Sequence, residues 1–166
     1  LVSGNYDTII AGMSITAERD EVIDFTQNYL QPDPSAYITT GDGNKAAYIG
    51  VVAAQTATIQ ARHVAESGAI LAEFATPDET ISALRNGEVE AVMADKSFLA
   101  PIVAESNGGL KFIGGDVYIG GGVGMGIRES DSDLKDTFDA AIDSMKADGS
   151  LNTLIEKWFG DEASLF

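Results

Sequence analysis

Residues 6–30 read YDTIIAGMSITAERDEVIDFTQNYL. The apolar run Thr8–Ala11 predicts a short strand, and the residues after it are small and hydroxyl-bearing. Ala17–Asp24 then reads as a short helix, with Thr16 as its cap because a hydroxyl can accept hydrogen bonds from the first free amides of a helix. A strand that passes through a polar turn into a helix is the repeating unit of α/β proteins.

One cation, Arg19, stands in this stretch, in a chain with 10 Lys and Arg against 26 Asp and Glu. A guanidinium offers a planar fork of donors that binds a carboxylate through two parallel hydrogen bonds. The backbone amides of residues 12–14 and two hydroxyls precede it, at a predicted helix N-terminus where small anions can bind. An exposed arginine paired with Glu18 or Asp20 is the alternative, and composition alone leaves both interpretations open.

Strands and helices alternate through the rest of the chain. Tyr48–Ala54 (YIGVVAA) has no polar alternation, which is typical of a buried strand in a parallel sheet. Thr76, followed by a proline and then by Glu79, predicts a helix that begins with a capping box, and Gly87 predicts its end. Strands separated by helices indicate parallel α/β sheets.

Two further positions are candidates for ligand contacts. Asp95 follows the apolar strand Val89–Ala94, at the edge where open α/β sheets place ligand groups, and its carboxylate can accept hydrogen bonds from an ammonium. The loop Gln55–Gln60 (QTATIQ) joins a buried strand to a helix and is rich in hydroxyl and amide groups. Both positions can equally well be helix caps, and the two roles are compatible.

Other classes of function are disfavoured by the composition. The net charge of −16 argues against binding to nucleic acid and against docking on anionic membranes. The single histidine, His63, lies within a predicted helix, and no His, Cys, Asp and Glu cluster has metal-ligand spacing. The glycine-rich stretch 118–127 has no helix directly behind it, so it fails the dinucleotide-binding pattern. We therefore expect no cofactor, no metal and no catalytic residue.

Together these segments resemble the periplasmic amino-acid-binding proteins of ABC importers, the type-2 solute-binding family. The resemblance lies in residues 6–30, in GEVEAVMADKSFLA at 87–100, and in GGGVGMGIRESDSDLKDTFDAAIDSMKADGSLNTLIEKWFG at 120–160. It covers nearly the whole chain. The closing pattern, with Asp-Gly before a helix that ends in KWFG, is typical of the family.

The resemblance implies a two-lobe α/β fold, the periplasmic-binding-protein type 2 fold, with the ligand in the cleft. The expected division places lobe 1 at 1–35 and 126–166, crossovers at 36–41 and 118–125, and lobe 2 at 42–117. The segment that normally opens lobe 1 and reads the ligand side chain has no counterpart here. We therefore expect lobe 1 to be incomplete, the chain to be able to self-associate, and the identity of the amino acid to be unreadable.

The resemblance also implies a role for each candidate residue. Arg19 would grip the ligand α-carboxylate with help from Ser14 and nearby backbone, and Asp95 would take the α-ammonium. The family usually has a Gly-Thr-Thr step in the lobe 2 loop, which Ala57-Thr58-Ile59 matches best, with Thr56 as the alternative. The expected ligand-binding residues are Ala11, Gly12, Met13, Ser14, Arg19, Thr56, Thr58, Ile59 and Asp95.

The implied function is capture of an amino acid in the periplasm and its delivery to the membrane permease of an ABC importer. No nucleic-acid partner and no enzymatic activity are expected. Two alternatives remain: a ligand-sensing domain of a receptor and, less favoured, a dehydratase-like enzyme on the same fold. The enzyme would need a general acid or base beside the ligand, and the sequence marks none.

Overall fold

The computed structural model describes residues 1–41, 48–160 and 163–166. In chain order its elements are β1 (Thr8–Ile9), α1 (Ala17–Asp20), β2 (Asp24–Phe25), β3 (Ser35–Thr40), β4 (Val51–Gln55), α2 (Ile59–Glu66), β5 (Ile70–Phe74), α3 (Pro77–Asn86), β6 (Ala91–Asp95), α4 (Lys96–Glu105), β7 (Leu110–Val117), β8 (Gly126–Ile127), α5 (Ser132–Ala147) and α6 (Ser150–Phe159). The predicted α/β class is confirmed.

The chain divides into two compact units. Unit 1 combines Leu1–Pro32 with Gly120–Phe166, and unit 2 is Asp33–Ile119. The division expected from the sequence placed the two crossovers between the lobes at 36–41 and 118–125. In the structure residues 36–40 lie within β3, and the expected start of lobe 2 at residue 42 falls outside the described residues.

Unit 2 is built on a mixed sheet with the strand order β5-β4-β6-β3-β7. β4 is parallel to β5 and to β6, as predicted, whereas β3 runs antiparallel to both β6 and β7. The predicted parallel pairing is therefore found among β4, β5 and β6, whereas β3 pairs only in the antiparallel sense. The parallel strands are connected through crossover helices, and β3 precedes the first of these helices and enters the sheet in the opposite direction.

The helices of unit 2 begin and end where their sequences predict. In α3, Thr76 accepts from the Glu79 amide while Glu79 accepts from the Thr76 amide, which completes the capping box. Gly87 ends this helix with φ 75°, a left-handed conformation that suits glycine. The apolar sides of the helices pack against the sheet in a core that includes Ile38, Val52, Val92 and Met93 from the strands and Leu84 and Leu99 from α3 and α4.

Unit 1 has a small sheet in the order β1-β8-β2, in which β8 is antiparallel to both neighbours. The predicted helix 17–24 is shorter than expected, because Asp24 and Phe25 pair with β8 instead of continuing the helix. α5 and α6 pack on each other through a cluster centred on Ile142, Leu151 and Ile155.

Hydrogen bonds hold Gln27 to α5, and Tyr29 and Leu30 to Val123. The Gln27 amide nitrogen donates to Asp139 at 2.7 Å, its side chain donates to Asp143 at 2.7 Å, and Lys146 donates to its Oε1 at 2.8 Å. The segment after α1 is thus held by contacts of Gln27 with a helix more than a hundred residues away in sequence.

Large apolar side chains stay exposed on unit 1. Trp158 is 73% exposed near the C-terminal end of α6, and its neighbours Leu154 and Phe159 are exposed as well. Within the part of the chain that the structure describes, no helix has both the length and the apolar character needed to cross a membrane.

Candidate ligand-binding site

Arg19 lies in the single turn of α1, where the Thr16 hydroxyl accepts from its backbone amide at 3.2 Å. Its Nη1 donates to the carbonyl of Ser14 at 2.8 Å, so the guanidinium folds back over the segment predicted to hold an anion. The side chain is half-buried, and burial lowers the pKa of the guanidinium from its ordinary value. A cation that has lost part of its hydration gains most from binding an anion.

The backbone of residues 13–15 contacts the glycine-rich stretch 120–127. Ile15 donates to Gly122 at 2.9 Å, Gly124 donates to Met13 at 3.4 Å, and Ser14 pairs with Val123 in an isolated bridge. A side chain at Gly122, where φ is 88°, would collide with the carbonyl of Leu30. The glycines thus permit close backbone packing against Met13, Ser14 and Ile15.

Tyr29 is a neighbour of this segment that the sequence did not single out. Burial raises the pKa of its hydroxyl, and a hydrogen bond with the Gly12 backbone acts in the opposite direction. Tyr29 also donates its own backbone amide to Val123 at 2.8 Å. A tyrosine five residues past a predicted helix carries no sequence signal for this contact, since the pairing arises from the tertiary fold.

Asp95 ends β6 and occupies the N-cap position of α4, yet its side chain makes no capping hydrogen bond. Asp33, which precedes β3, takes that role: its Oδ2 accepts from the Ser97 amide at 3.4 Å and from the Ser97 hydroxyl at 2.5 Å. Asp95 is therefore the N-cap residue of α4 by position, as the alternative interpretation expected, but its side chain does not cap the helix. Its carboxylate is available for other partners because a different aspartate serves the helix.

Gln60, in the first turn of α2, holds the Asp95 carboxylate. Its side chain is buried, and its Nε2 donates to Asp95 Oδ1 at 2.6 Å and to Ser35 Oγ at 2.9 Å. Burial, followed by the nearby charge of Asp33, raises the pKa of Asp95 to about 6, while the hydrogen bond from Gln60 acts to lower it. Gln60 lies in the predicted polar loop, but nothing in its spacing showed that it reaches Asp95.

The side chains of the loop 55–60 make hydrogen bonds that stabilise the start of α2 and the neighbouring strand. Thr58 caps α2 by accepting from the Ala61 amide at 3.2 Å, and its hydroxyl donates to the carbonyl of Gln55 at 2.6 Å. Thr56 donates to Glu73 at 2.8 Å, and Ile59 is the first residue of the helix. The capping interpretation of this loop is confirmed for Thr58.

Ala57 adopts φ 60°, a left-handed conformation that favours glycine. This is the position matched to the glycine of the Gly-Thr-Thr step, so the backbone supports matching Ala57-Thr58-Ile59 to that step.

The described residues contain no cluster of three or more His, Cys, Asp or Glu that could hold a metal. Lys96, next to Asp95 in sequence, forms an ion pair with Asp116 at 2.8 Å. His63 lies on α2 with its ring 6.5 Å from that of Tyr37. The structure thus gathers residues 11–14 and Arg19 in unit 1, and Asp95, Gln60 and the loop 55–60 in unit 2.

The comparison with known proteins identifies the family. The model of the bacterial extracellular solute-binding proteins, family 3, matches residues 1–161. The L-arginine-binding protein of Pseudomonas aeruginosa is 30% identical over 173 aligned positions, which cover 92% of this chain and 64% of that protein. The histidine-binding periplasmic protein of Escherichia coli strain K12 is 29% identical with the same coverage. The chain therefore spans slightly less than two thirds of the length of these relatives.

A solved structure is more similar still. The periplasmic His/Glu/Gln/Arg/opine family-binding protein from Silicibacter pomeroyi, in complex with lysine, is 68% identical, with a TM-score of 0.92. The match covers 99% of this chain and 75% of that one. The type-2 binding-protein fold and the prediction of a binding family rather than an enzyme are both confirmed. With its family model matched over residues 1–161, the chain belongs to the bacterial extracellular solute-binding proteins of family 3.

Proposed function

We propose that this protein captures an amino acid outside the cytoplasm for uptake by an ABC importer. The observation that carries the proposal is the arrangement around Asp95. A carboxylate at the end of a sheet strand is released from capping its own helix, since Asp33 caps it, and is instead held by the buried amide of Gln60. An acid arranged in this way suits an ammonium group.

Two side chains supply charges complementary to the ligand. Arg19 binds the α-carboxylate of the ligand, supported by Ser14 and by the backbone of residues 11–13. Asp95 binds the α-ammonium, and the loop with Thr56, Thr58 and Ile59 adds contacts to the carboxylate. Because the Thr58 hydroxyl already caps α2, we assign its contribution to the backbone amide.

Basic amino acids are the first ligands to test. The two relatives described above are named for arginine and histidine, and the Silicibacter pomeroyi protein is described in complex with lysine. The side-chain selectivity of this chain is a separate question from the α-amino and α-carboxylate recognition argued here.

We expect lysine, arginine or histidine to stabilise the folded chain against heat. At a hundredfold excess over Kd a ligand adds about 2.7 kcal/mol, which raises the unfolding midpoint of a chain of this size by about 5–10 °C. Differential scanning fluorimetry measures this shift. Cadaverine, which lacks the carboxylate, and ε-aminocaproate, which lacks the α-ammonium, are the matched controls and should shift the midpoint far less. A folded chain whose midpoint no amino acid moves would overturn the proposal.

Delivery to a membrane permease and a periplasmic location are part of the same proposal. The family is described as extracellular, and the Escherichia coli relative is named as periplasmic. A pull-down of the ligand-bound protein on proteoliposomes that contain the importer tests the first point, and secretion of the protein with osmotic-shock release tests the second.

We further propose that the isolated chain self-associates through the exposed apolar side chains of α6 in unit 1. Light scattering should show a dimeric fraction that increases with protein concentration and with salt concentration, because salt screens the repulsion between chains of net charge −16. Trp158→Glu should reduce association, whereas Ile49→Glu, at an equally exposed position of unit 2, should not. A parent chain that stays monomeric at every concentration and salt level would contradict the proposal.

A further inference from the structure

We propose that Gln60 is a positioning residue for ligand binding, whose buried amide fixes the direction of the Asp95 carboxylate. This inference rests on the proposed function, because it concerns the acid that we assign to the ligand ammonium. Gln60 does not need to touch the ligand: it acts through Asp95.

The geometry uses both hydrogens of the Gln60 amide. One points at Asp95 Oδ1, 2.6 Å from the nitrogen, and the other at Ser35 Oγ, 2.9 Å away. An ionised carboxylate can only accept, so the nitrogen and not the oxygen of the amide must face Asp95. With Gln60 only 6% exposed, solvent cannot easily replace this donor.

Three elements meet at this contact. Gln60 comes from α2, Ser35 from β3 and Asp95 from β6, and Ser35 and Asp95 are directly opposite each other in the register of the two strands. The Ser35 side chain is fully buried, so it gives the amide a fixed second anchor. One carboxylate oxygen of Asp95 is thereby tied to a rigid part of unit 2.

The charged groups around Asp95 do not replace Gln60. Asp33 repels the carboxylate and is itself engaged by Ser97. Lys96, the adjacent cation, donates to both oxygens of Asp116 at 2.8 Å. Gln60 is thus the hydrogen-bond donor that favours the ionised form of Asp95 against burial and against Asp33.

The test replaces Gln60 with methionine, which has similar length and no amide. In the ligand-free protein, carbon-13 detection of the Asp95 carboxyl should show its titration midpoint rise by about one pH unit, since a hydrogen bond to a charged group is lost. Lysine affinity should then fall more at pH 6 than at pH 8. Asn86→Ala removes an amide–carboxylate hydrogen bond to Glu88 elsewhere in unit 2 and should leave the Asp95 titration unchanged.

A second variant keeps the test decisive if Gln60→Met does not fold. Gln60→Glu keeps the size of the side chain and adds a negative charge, so the Asp95 midpoint should rise further. An unchanged Asp95 titration in either folded variant, or an equal loss of affinity at both pH values, would overturn the role of Gln60. Because the titration needs no ligand, a parent chain that binds no amino acid would overturn the proposed function while leaving this result readable.

Discussion

Replacing Arg19 with alanine should weaken lysine binding by about 2–5 kcal/mol, the usual cost of removing one member of a desolvated charge pair. The guanidinium is half-buried and already lies over the Ser14 segment through its bond at 2.8 Å, so the ligand carboxylate meets a donor that is in place beforehand. Arg19→Lys should lose most of the same affinity, because a single ammonium cannot reproduce the planar fork of donors. Isothermal titration calorimetry measures both losses.

The matched control is Arg62→Ala. Arg62 lies on the exposed side of α2 in an ion pair with Glu66 at 2.9 Å, and such surface pairs contribute little. Its loss should leave lysine affinity unchanged. Circular dichroism must show the Arg19 variants folded, because they also lose the bond to Ser14. Equal affinity in the parent and in Arg19→Ala would show that Arg19 serves only the local structure of α1.

The second large effect is expected at Asp95. Asp95→Asn should weaken lysine binding by about 2 kcal/mol or more, because the ligand ammonium loses its counter-charge. Binding of ε-aminocaproate, which has no α-ammonium, should change little. Calorimetry with the two ligands separates recognition from structure: equal losses for both would mean that Asp95 does not face the ammonium.

The same substitution should stabilise the free protein above pH 6. The pKa of Asp95 is raised from 3.8 to about 6, so the folded state favours the protonated form. This favourable contribution is fully present below pH 3.8 and is lost as the pH rises toward 6. At neutral pH the ionised carboxylate is therefore a cost to the fold, and asparagine removes it. Thermal unfolding of the parent and of Asp95→Asn at pH 4 and pH 8 measures the difference, which should appear only at pH 8.

Much of this architecture could be predicted because its signals are local. Thr76 and Glu79 form their capping box within one helical turn, and the strand before Asp95 is apolar at every buried position. The antiparallel direction of β3 could not be predicted. Strand direction depends on where the chain enters the sheet, and it produces no periodic pattern in the sequence. Residues 17–24 were predicted as one helix, since the pairing of Asp24 with β8 involves a strand a hundred residues later.

The candidate site divides in the same way. Arg19 could be singled out from a charge imbalance and from its place after Ser14 and Thr16. Gln60 could not, because its importance lies in two hydrogen bonds across 25 and 35 residues of sequence. The exchange of capping duty from Asp95 to Asp33 also escaped prediction: both residues are aspartates, and only their placement around the first turn of α4 distinguishes them.

That exchange sets a rule for anyone who wishes to transplant this ammonium-binding group into another scaffold. An aspartate grafted alone at the end of a strand would turn toward the free amides of the helix that follows. Its carboxylate would then accept hydrogen bonds from those amides and would not bind an ammonium. The graft must also carry a second acid to occupy those amides and a buried amide to hold the first acid. The functional unit is thus a set of three side chains, Asp33, Gln60 and Asp95, drawn from separate parts of the chain.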